Sequence, residues 1–181
     1  MSYFSTAFLD RDGTINRRAP DGQYIGTPGE VELLPNAGQA IRRLNEAGLQ
    51  VVLVSNQRGV ARGLLSMDDV TAVNSRLEAL LRAAGAHIDA VYVCPHEKKT
   101  CRCRKPLPGL IELAARNDPA IELSTSIMIG DSESDVAAGI AAGIATIRLA
   151  GRRETTRADA VALDLASAAS IVLDGEISPR D

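Results

Sequence analysis

Short, almost wholly apolar runs recur along this chain, each followed by a segment of helical spacing, and that alternation constrains the fold more than any single residue does. Ala7-Phe8-Leu9, Leu49 to Val54, Ala90 to Val93, Ser126 to Ile129 and Ile144 to Leu149 read as strands, apolar as expected where both faces of a sheet are covered. Between them, Asn36 is placed to cap a helix reaching Ala47, with Ala37, Ala40, Ile41 and Leu44 on one face and Gly48 as its stop. Ser66 caps a longer helix over about residues 67–84, built on Val70, Val73, Leu77, Leu80 and Leu81. Pro108 opens another to about Arg116, and a small-residue helix covers Val136 to Ala142. Residues 151–160 are polar; a short helix follows, and the apolar run Ser170-Ile171-Val172-Leu173 is expected to add an edge strand. Strands alternating with helices imply a parallel sheet with helices on both faces, a doubly wound α/β fold of Rossmann type. A length of 181 residues suits one domain with a full core better than two, so 1–181 reads as a single domain.

Composition excludes several classes. A net charge of −3 argues against a chain that coats nucleic acid or an anionic membrane. No apolar run approaches the length of a membrane span, and Met1 to Thr6 shows no signal peptide. The three cysteines all lie between positions 94 and 103, which fits a reducing compartment and a metal site better than a disulfide framework. The expectation is a cytoplasmic monomer with no membrane and no nucleic-acid partner.

In a doubly wound sheet, ligands sit outside the carboxyl ends of the strands. The first strand ends in Asp10-Arg11-Asp12-Gly13-Thr14, the second in Ser55-Asn56-Gln57, and the fourth in Gly130-Asp131-Ser132-Glu133-Ser134-Asp135. Three strands therefore deliver polar groups to one edge, and Arg104-Lys105-Pro106 is a cationic element able to reach it. Paired carboxylates at the end of a buried strand repel one another and lose hydration, for which the usual remedy is a hard cation such as Mg2+.

Together Asp10-Arg11-Asp12-Gly13-Thr14, Ser55-Asn56-Gln57, Lys105-Pro106 and Gly130-Asp131…Asp135 resemble the four motifs of the haloacid dehalogenase superfamily of phosphohydrolases, in order and over about residues 7–149. Ser55 to Gly63 and Cys94-Pro95-His96…Cys101-Arg102-Cys103-Arg104-Lys105-Pro106 resemble, more narrowly, the heptose-bisphosphate and histidinol-phosphate phosphatase group, which has little or no cap domain. The resemblance implies a Mg2+-dependent phosphatase acting on a small phosphorylated metabolite, a sugar bisphosphate before histidinol phosphate. The cationic amine of histidinol phosphate would call for an acidic partner such as Asp21 or Glu97. One departure is Ser132, which stands where relatives often carry Lys or Arg after the motif-four aspartate.

Phosphate-ester hydrolysis needs a nucleophile, a proton donor to the leaving oxygen and positive charge at the phosphoryl group. Asp10 is placed to attack phosphorus, and Asp12 to protonate the leaving alkoxide and then deprotonate water. Asp131 completes a Mg2+ site with the Asp10 side chain and, as the resemblance implies, the backbone carbonyl of Asp12. Ser55 donates to the phosphoryl oxygens with help from Asn56, and Lys105 supplies a point charge. Gln57, Arg58, Arg62 and Arg104 are candidate substrate contacts, with Arg62 on a glycine-rich flap and residues 17–29 in a loop over the mouth. Asp135 reads equally as a helix-start charge or a metal contact.

Cys94-x-His96-x4-Cys101-x-Cys103 supplies three thiolates and an imidazole within ten residues, a closed tetrahedral Zn2+ set that holds loop 94–103 and hence Arg104 and Lys105. His87, alone near a helix end, reads as a surface residue. A rival reading makes the cysteine segment, with Lys98, Lys99 and Arg102, a small nucleic-acid-binding zinc element. The acidic balance and the scarcity of aromatics, two Phe and three Tyr, weigh against it.

Overall fold

The chain's first strand, β1 (Thr6–Leu9), becomes an inner strand of the sheet in the computed structural model, which describes residues 3–151 and 155–180. Around it lie β2 (Gln50–Asn56), β3 (Ala90–Cys94), β4 (Ser126–Gly130), β5 (Ala145–Leu149) and β6 (Ala160–Ala162), in the order β3-β2-β1-β4-β5-β6. Every pairing is parallel, and Phe8 lies level with Val52 on one side and Met128 on the other. The order reverses between β1 and β4, so the loops leaving these strands diverge and open a crevice at their carboxyl ends.

Strand alternation sorts the core into two layers. Ala7, Leu9, Val51, Leu53, Ile127 and Ile129 face α1 (Ala37–Glu46), α2 (Met67–Ala83) and α5 (Leu165–Leu173). Phe8, Val52, Val54 and Met128 face α3 (Gly109–Asn117) and α4 (Glu133–Ala141). Each of these side chains larger than alanine, withdrawn from water, contributes roughly 1.5–3 kcal/mol. The expected parallel sheet with helices on both faces is the observed one.

Two local expectations are overturned. Ser170 to Leu173 forms the last turns of α5, not an edge strand, and the edge is β6. Contiguous Ile171-Val172-Leu173 looks strand-like, but the buried positions Leu165, Ala168, Ala169 and Val172 follow helical spacing, and Asp164 Oδ1 accepts from Ser167 N at 2.8 Å to start the helix. The other is Asn36, which precedes α1 but makes no capping bond with its side chain. Its backbone is left-handed (φ 61°), whereas a cap needs extended backbone to turn its oxygen over the first turn; the position uses asparagine's tolerance of that conformation instead. Ser66 does cap α2, accepting from Asp69 N while Asp69 Oδ2 accepts from Ser66 N. The polar stretch 151–160 lies partly outside the described residues, at 152–154, as do Met1 and Ser2.

Among the described residues, no helix is long and apolar enough to cross a membrane. The connections above the crevice, residues 10–36 and 57–66, hold no helix beyond the turn Pro28–Glu30, so no separate folded lid stands over it.

Candidate active site

A cavity of about 790 Å³ opens at the carboxyl edge of β1 and β2, with Asp10, Asp12, Asn56, Lys105 and Asp135 among its lining residues. Lys105 is its electrostatic hub. The side chain is 2% exposed, and Nζ lies 2.7 Å from Asp10 Oδ1, 2.6 Å from Asp135 Oδ1 and 2.7 Å from the Val54 carbonyl that accepts from it. Burial alone would lower the Lys105 pKa, but the two carboxylates outweigh it and hold the ammonium above its ordinary value.

The lysine is held by Asn56 at the end of β2. Asn56 Nδ2 donates to the Lys105 carbonyl at 3.0 Å, and Lys105 N donates to Asn56 Oδ1 at 3.1 Å. A residue expected to meet the phosphoryl group thus also pins the backbone of the charge beside it. Ser55 and Gln57 are buried, and Gln57 Nε2 donates to Ser55 Oγ at 2.8 Å and to Asp12 Oδ2 at 3.0 Å.

Asp10 carries the largest electrostatic burden. Burial pushes its carboxyl up to about 7; Lys105 opposes this, while Asp135 and Asp12 add to it. The carboxylate oxygens of Asp10, Asp131 and Asp135 lie within 4.8 Å of one another. Asp131 Oδ1 is buried without a hydrogen-bond partner, and Asp131 Oδ2 lies 2.6 Å from Arg18 Nη2. Burial raises the Asp131 pKa as well, Arg18 opposing it. Converging carboxylates with an unpartnered buried oxygen are the donor set a divalent, oxygen-preferring cation requires, so these residues fit Mg2+. Asp135 is tied on its other oxygen, Oδ2 accepting from Ser132 N at 3.0 Å and Ser132 Oγ at 2.6 Å at the start of α4. The helix-start role of Asp135 is thus seen directly, while its other oxygen faces Lys105.

Glycine is required at two points of this cluster. Gly13 has φ +88°, and a Cβ there would lie 2.0 Å from Asp131 Oδ2. At Gly130 a Cβ would lie 2.4 Å from the Asp135 side chain.

The cysteine segment comes together as a second cluster. The ligand atoms of Cys94, His96, Cys101 and Cys103 all lie within 4.8 Å of one another. Cys94 Sγ is 3.6 Å from both Cys101 Sγ and His96 Nδ1, and His96 Nδ1 is 3.3 Å from Cys103 Sγ. Sulfurs bonded at about 2.3 Å to a tetrahedral Zn2+ sit about 3.8 Å apart, so the spacing fits that ion and is far too long for a disulfide. Burial and the neighbouring thiols push the Cys103 thiol up to about 12, as crowded sulfurs do without a cation between them.

The substrate contacts expected from sequence divide. Arg104 lines the cavity, its Nη1 donating to the His96 carbonyl at 3.4 Å. Arg58 does not; its guanidinium is drawn to Glu97 of the cysteine loop. Arg62 is exposed and outside the cavity lining. Arg18, from the loop expected to bring positive charge to the mouth, does line the cavity. Arg11 and Asn16 were not expected at the site; the signal for Arg11 was a cation set between two aspartates just after a buried strand.

Comparison with known proteins agrees with this geometry. The family model described as haloacid dehalogenase-like hydrolase matches residues 4–143. The D-glycero-beta-D-manno-heptose-1,7-bisphosphate 7-phosphatase of Rhodopseudomonas palustris is 43% identical over 153 residues, 80% of this chain and 83% of that one. The D-glycero-alpha-D-manno-heptose-1,7-bisphosphate 7-phosphatase of Mycobacterium bovis is 39% identical over 159 residues, 84% of this chain and 83% of that one. Among solved structures, the D,D-heptose 1,7-bisphosphate phosphatase of B. bronchiseptica, complexed with magnesium and phosphate, superposes with a TM-score of 0.82 at 35% identity, covering 95% of this chain and 99% of that one. With a family match across most of its length and relatives of this identity covering most of both chains, the chain belongs to the haloacid dehalogenase-like hydrolases.

Proposed function

We propose that this chain is a Mg2+-dependent phosphatase that removes the 7-phosphate of D-glycero-D-manno-heptose 1,7-bisphosphate through an aspartyl-phosphate on Asp10. The observation that carries the reading is the buried Asp10–Lys105–Asp135 triad at the floor of the cavity, beside Asp12 and Asp131. Relatives at 39–43% identity that bear the heptose bisphosphatase name support the substrate.

Held by the Asp10 and Asp131 carboxylates and the Asp12 carbonyl, Mg2+ supplies the charge that offsets repulsion between a carboxylate and a phosphate dianion. Lys105 fixes one oxygen of Asp10 and leaves the other to attack phosphorus. Asp12 gives a proton to the leaving alkoxide, then takes one from the water that opens the acyl phosphate. Asn56 and Ser55 supply donors around the phosphoryl oxygens, and Gln57 holds Ser55 and Asp12 in register. In this proposal Cys94, His96, Cys101 and Cys103 hold Zn2+, a clamp on the loop that carries Arg104 and Lys105.

The cavity wall suits a second phosphate on a hydroxyl-rich body. Arg18, Lys98, Lys99 and Arg104 contribute cations, while Tyr24 and Leu107 offer apolar faces to a sugar ring. Histidinol phosphate fits less well. Glu97, one of the acidic partners for its ammonium, is engaged by Arg58 and by Lys98 N, and exposed Asp21 is outside the cavity lining.

The test is a kinetic panel with both anomers of the heptose bisphosphate, histidinol phosphate and an aryl phosphate, with phosphorus NMR showing which phosphate leaves. The proposal expects the highest kcat/KM for one heptose anomer and loss of the 7-phosphate. Release of the anomeric phosphate, or a higher kcat/KM for histidinol phosphate, overturns it.

A further inference from the structure

Arg11 is the largest of the fully buried side chains among the described residues, at 1% exposure, and the mechanism above gives it no task. Burying a guanidinium is costly unless its nitrogens are paired. Here all three have a partner. Nη2 donates to Asp12 Oδ2 at 2.9 Å and Oδ1 at 3.1 Å, and Nε donates to Oδ1 at 3.2 Å. The other arm, Nη1, donates to Asn74 Oδ1 at 3.0 Å, and Asn74 is 7% exposed on the inner face of α2. Asn16 Nδ2 and Gln57 Nε2 each donate to the same carboxylate at 3.0 Å.

We propose that Arg11, anchored through Asn74, is a positioning residue that aims the Asp12 carboxyl at the leaving-group oxygen. The inference rests on the reading of Asp12 as proton donor and acceptor. A planar fork sets the plane of the carboxyl as well as its place, which a point charge does not. Asn74 in turn fixes the plane of the guanidinium from an element outside the catalytic loops.

The reaction requires such aim twice. In the first half, an Asp10 oxygen bonds to phosphorus, the bond from phosphorus to the leaving oxygen breaks, and the proton of Asp12 passes to that oxygen. In the second, water oxygen bonds to phosphorus, its proton returns to Asp12, and the acyl phosphate bond breaks. One carboxyl must therefore meet the departing alkoxide and the incoming water at nearly the same point. A misplacement of about 1 Å costs on the order of a hundredfold in rate.

The experiment is single-turnover release of the leaving group from an alkyl phosphate and from para-nitrophenyl phosphate, at saturating Mg2+. It compares wild type, Asp12→Asn, Arg11→Lys and Asn74→Leu, with melting temperatures recorded alongside. An aryl oxide leaves with little help from an acid, so loss of aim falls on the alkyl ester. If Asp12 is the acid, Asp12→Asn lowers alkyl release by about 10²–10⁴ and aryl release far less. The proposal expects the same selectivity in both other variants: about a hundredfold on the alkyl ester in Arg11→Lys, about tenfold in Asn74→Leu, and less than about threefold on the aryl ester. A merely structural Arg11 lowers both substrates together with the melting temperature. Equal losses, or none, in these variants while Asp12→Asn stays selective overturn the positioning role and leave Asp12 in place. An unselective Asp12→Asn overturns the acid assignment, and this role with it. Should Arg11→Lys fail to fold, the near-isosteric Asn74→Leu decides the same question.

Discussion

Asp10→Asn is expected to stabilise the metal-free protein while abolishing its activity. Asp10 is buried with Asp135 and Asp12 near by, and its carboxyl stands at about 7 against an ordinary 3.8. That difference of about three units, at about 1.4 kcal/mol each, means that ionised Asp10 costs the Mg2+-free fold about 4 kcal/mol at pH 8. The amide removes the charge at nearly constant volume, and the pull of Lys105 on the ionised carboxylate is already contained in the raised value. The gain is about 3–4 kcal/mol, or about 6–16 °C in Tm for a chain of this size. Because the folded pKa is raised, the wild type keeps its full stability below pH about 4 and has lost this contribution once the pH passes about 7. The advantage of Asp10→Asn should therefore be small at pH 5 and full at pH 8. Calorimetry in Mg2+-free buffer at both values measures it, and added Mg2+ should raise the Tm of wild type far more than that of the variant. A variant melting at or below wild type at pH 8 without Mg2+ would refute the electrostatic reasoning.

Lys105→Met leaves Asp10 and Asp135 facing each other without their ammonium, and should cost about 3–5 kcal/mol in stability with turnover down by a thousandfold or more, read by denaturant titration and steady-state kinetics. Gly13→Ala places a Cβ 2.0 Å from Asp131 Oδ2 on backbone with φ +88°; it should weaken Mg2+ binding about tenfold or more by calorimetric titration, ahead of any large loss of Tm. Cys103→Ser should lose Zn2+ by elemental analysis and lower both Tm and turnover, although Cys103 touches no reacting atom; full activity in a zinc-free variant would show that the loop needs no clamp.

The layout of the sheet was legible because buried parallel strands leave long apolar runs, and three of them end in polar clusters that the sheet gathers at one edge. Asp10, Asp12, Asp131 and Lys105 could be picked out on that ground. What stayed hidden was the inward or outward direction of polar side chains. Gln57 follows Asn56 directly, yet one turns toward Asp12 and the other bridges to Lys105, 49 residues away in the chain. Arg11 sits between two carboxylates and would ordinarily be placed in solvent; only the packing of α2, which brings Asn74 within 3.0 Å, makes its burial tenable. Arg58 and Arg62 share a glycine-rich segment, and whether such cations reach the cavity depends on Glu97, a partner on another loop. The end of the chain misled for a different reason: three consecutive apolar residues, Ile171 to Leu173, outweighed the helical spacing that starts at Leu165.

The central claim, covalent catalysis by Asp10, is tested most directly by trapping the intermediate. A reaction with Mg2+ and the heptose bisphosphate is quenched in the steady state, treated with borohydride, digested and read by mass spectrometry. Borohydride reduces an aspartyl-phosphate to homoserine and leaves an ordinary aspartate untouched. The account predicts homoserine at position 10 alone, only with both substrate and Mg2+ present; with para-nitrophenyl phosphate, whose aryl oxide leaves without an acid, the yield should be greater in Asp12→Asn, where water is activated poorly. Phosphate release with Asp10 unmodified, or homoserine at Asp12 or Asp131 instead, would contradict it.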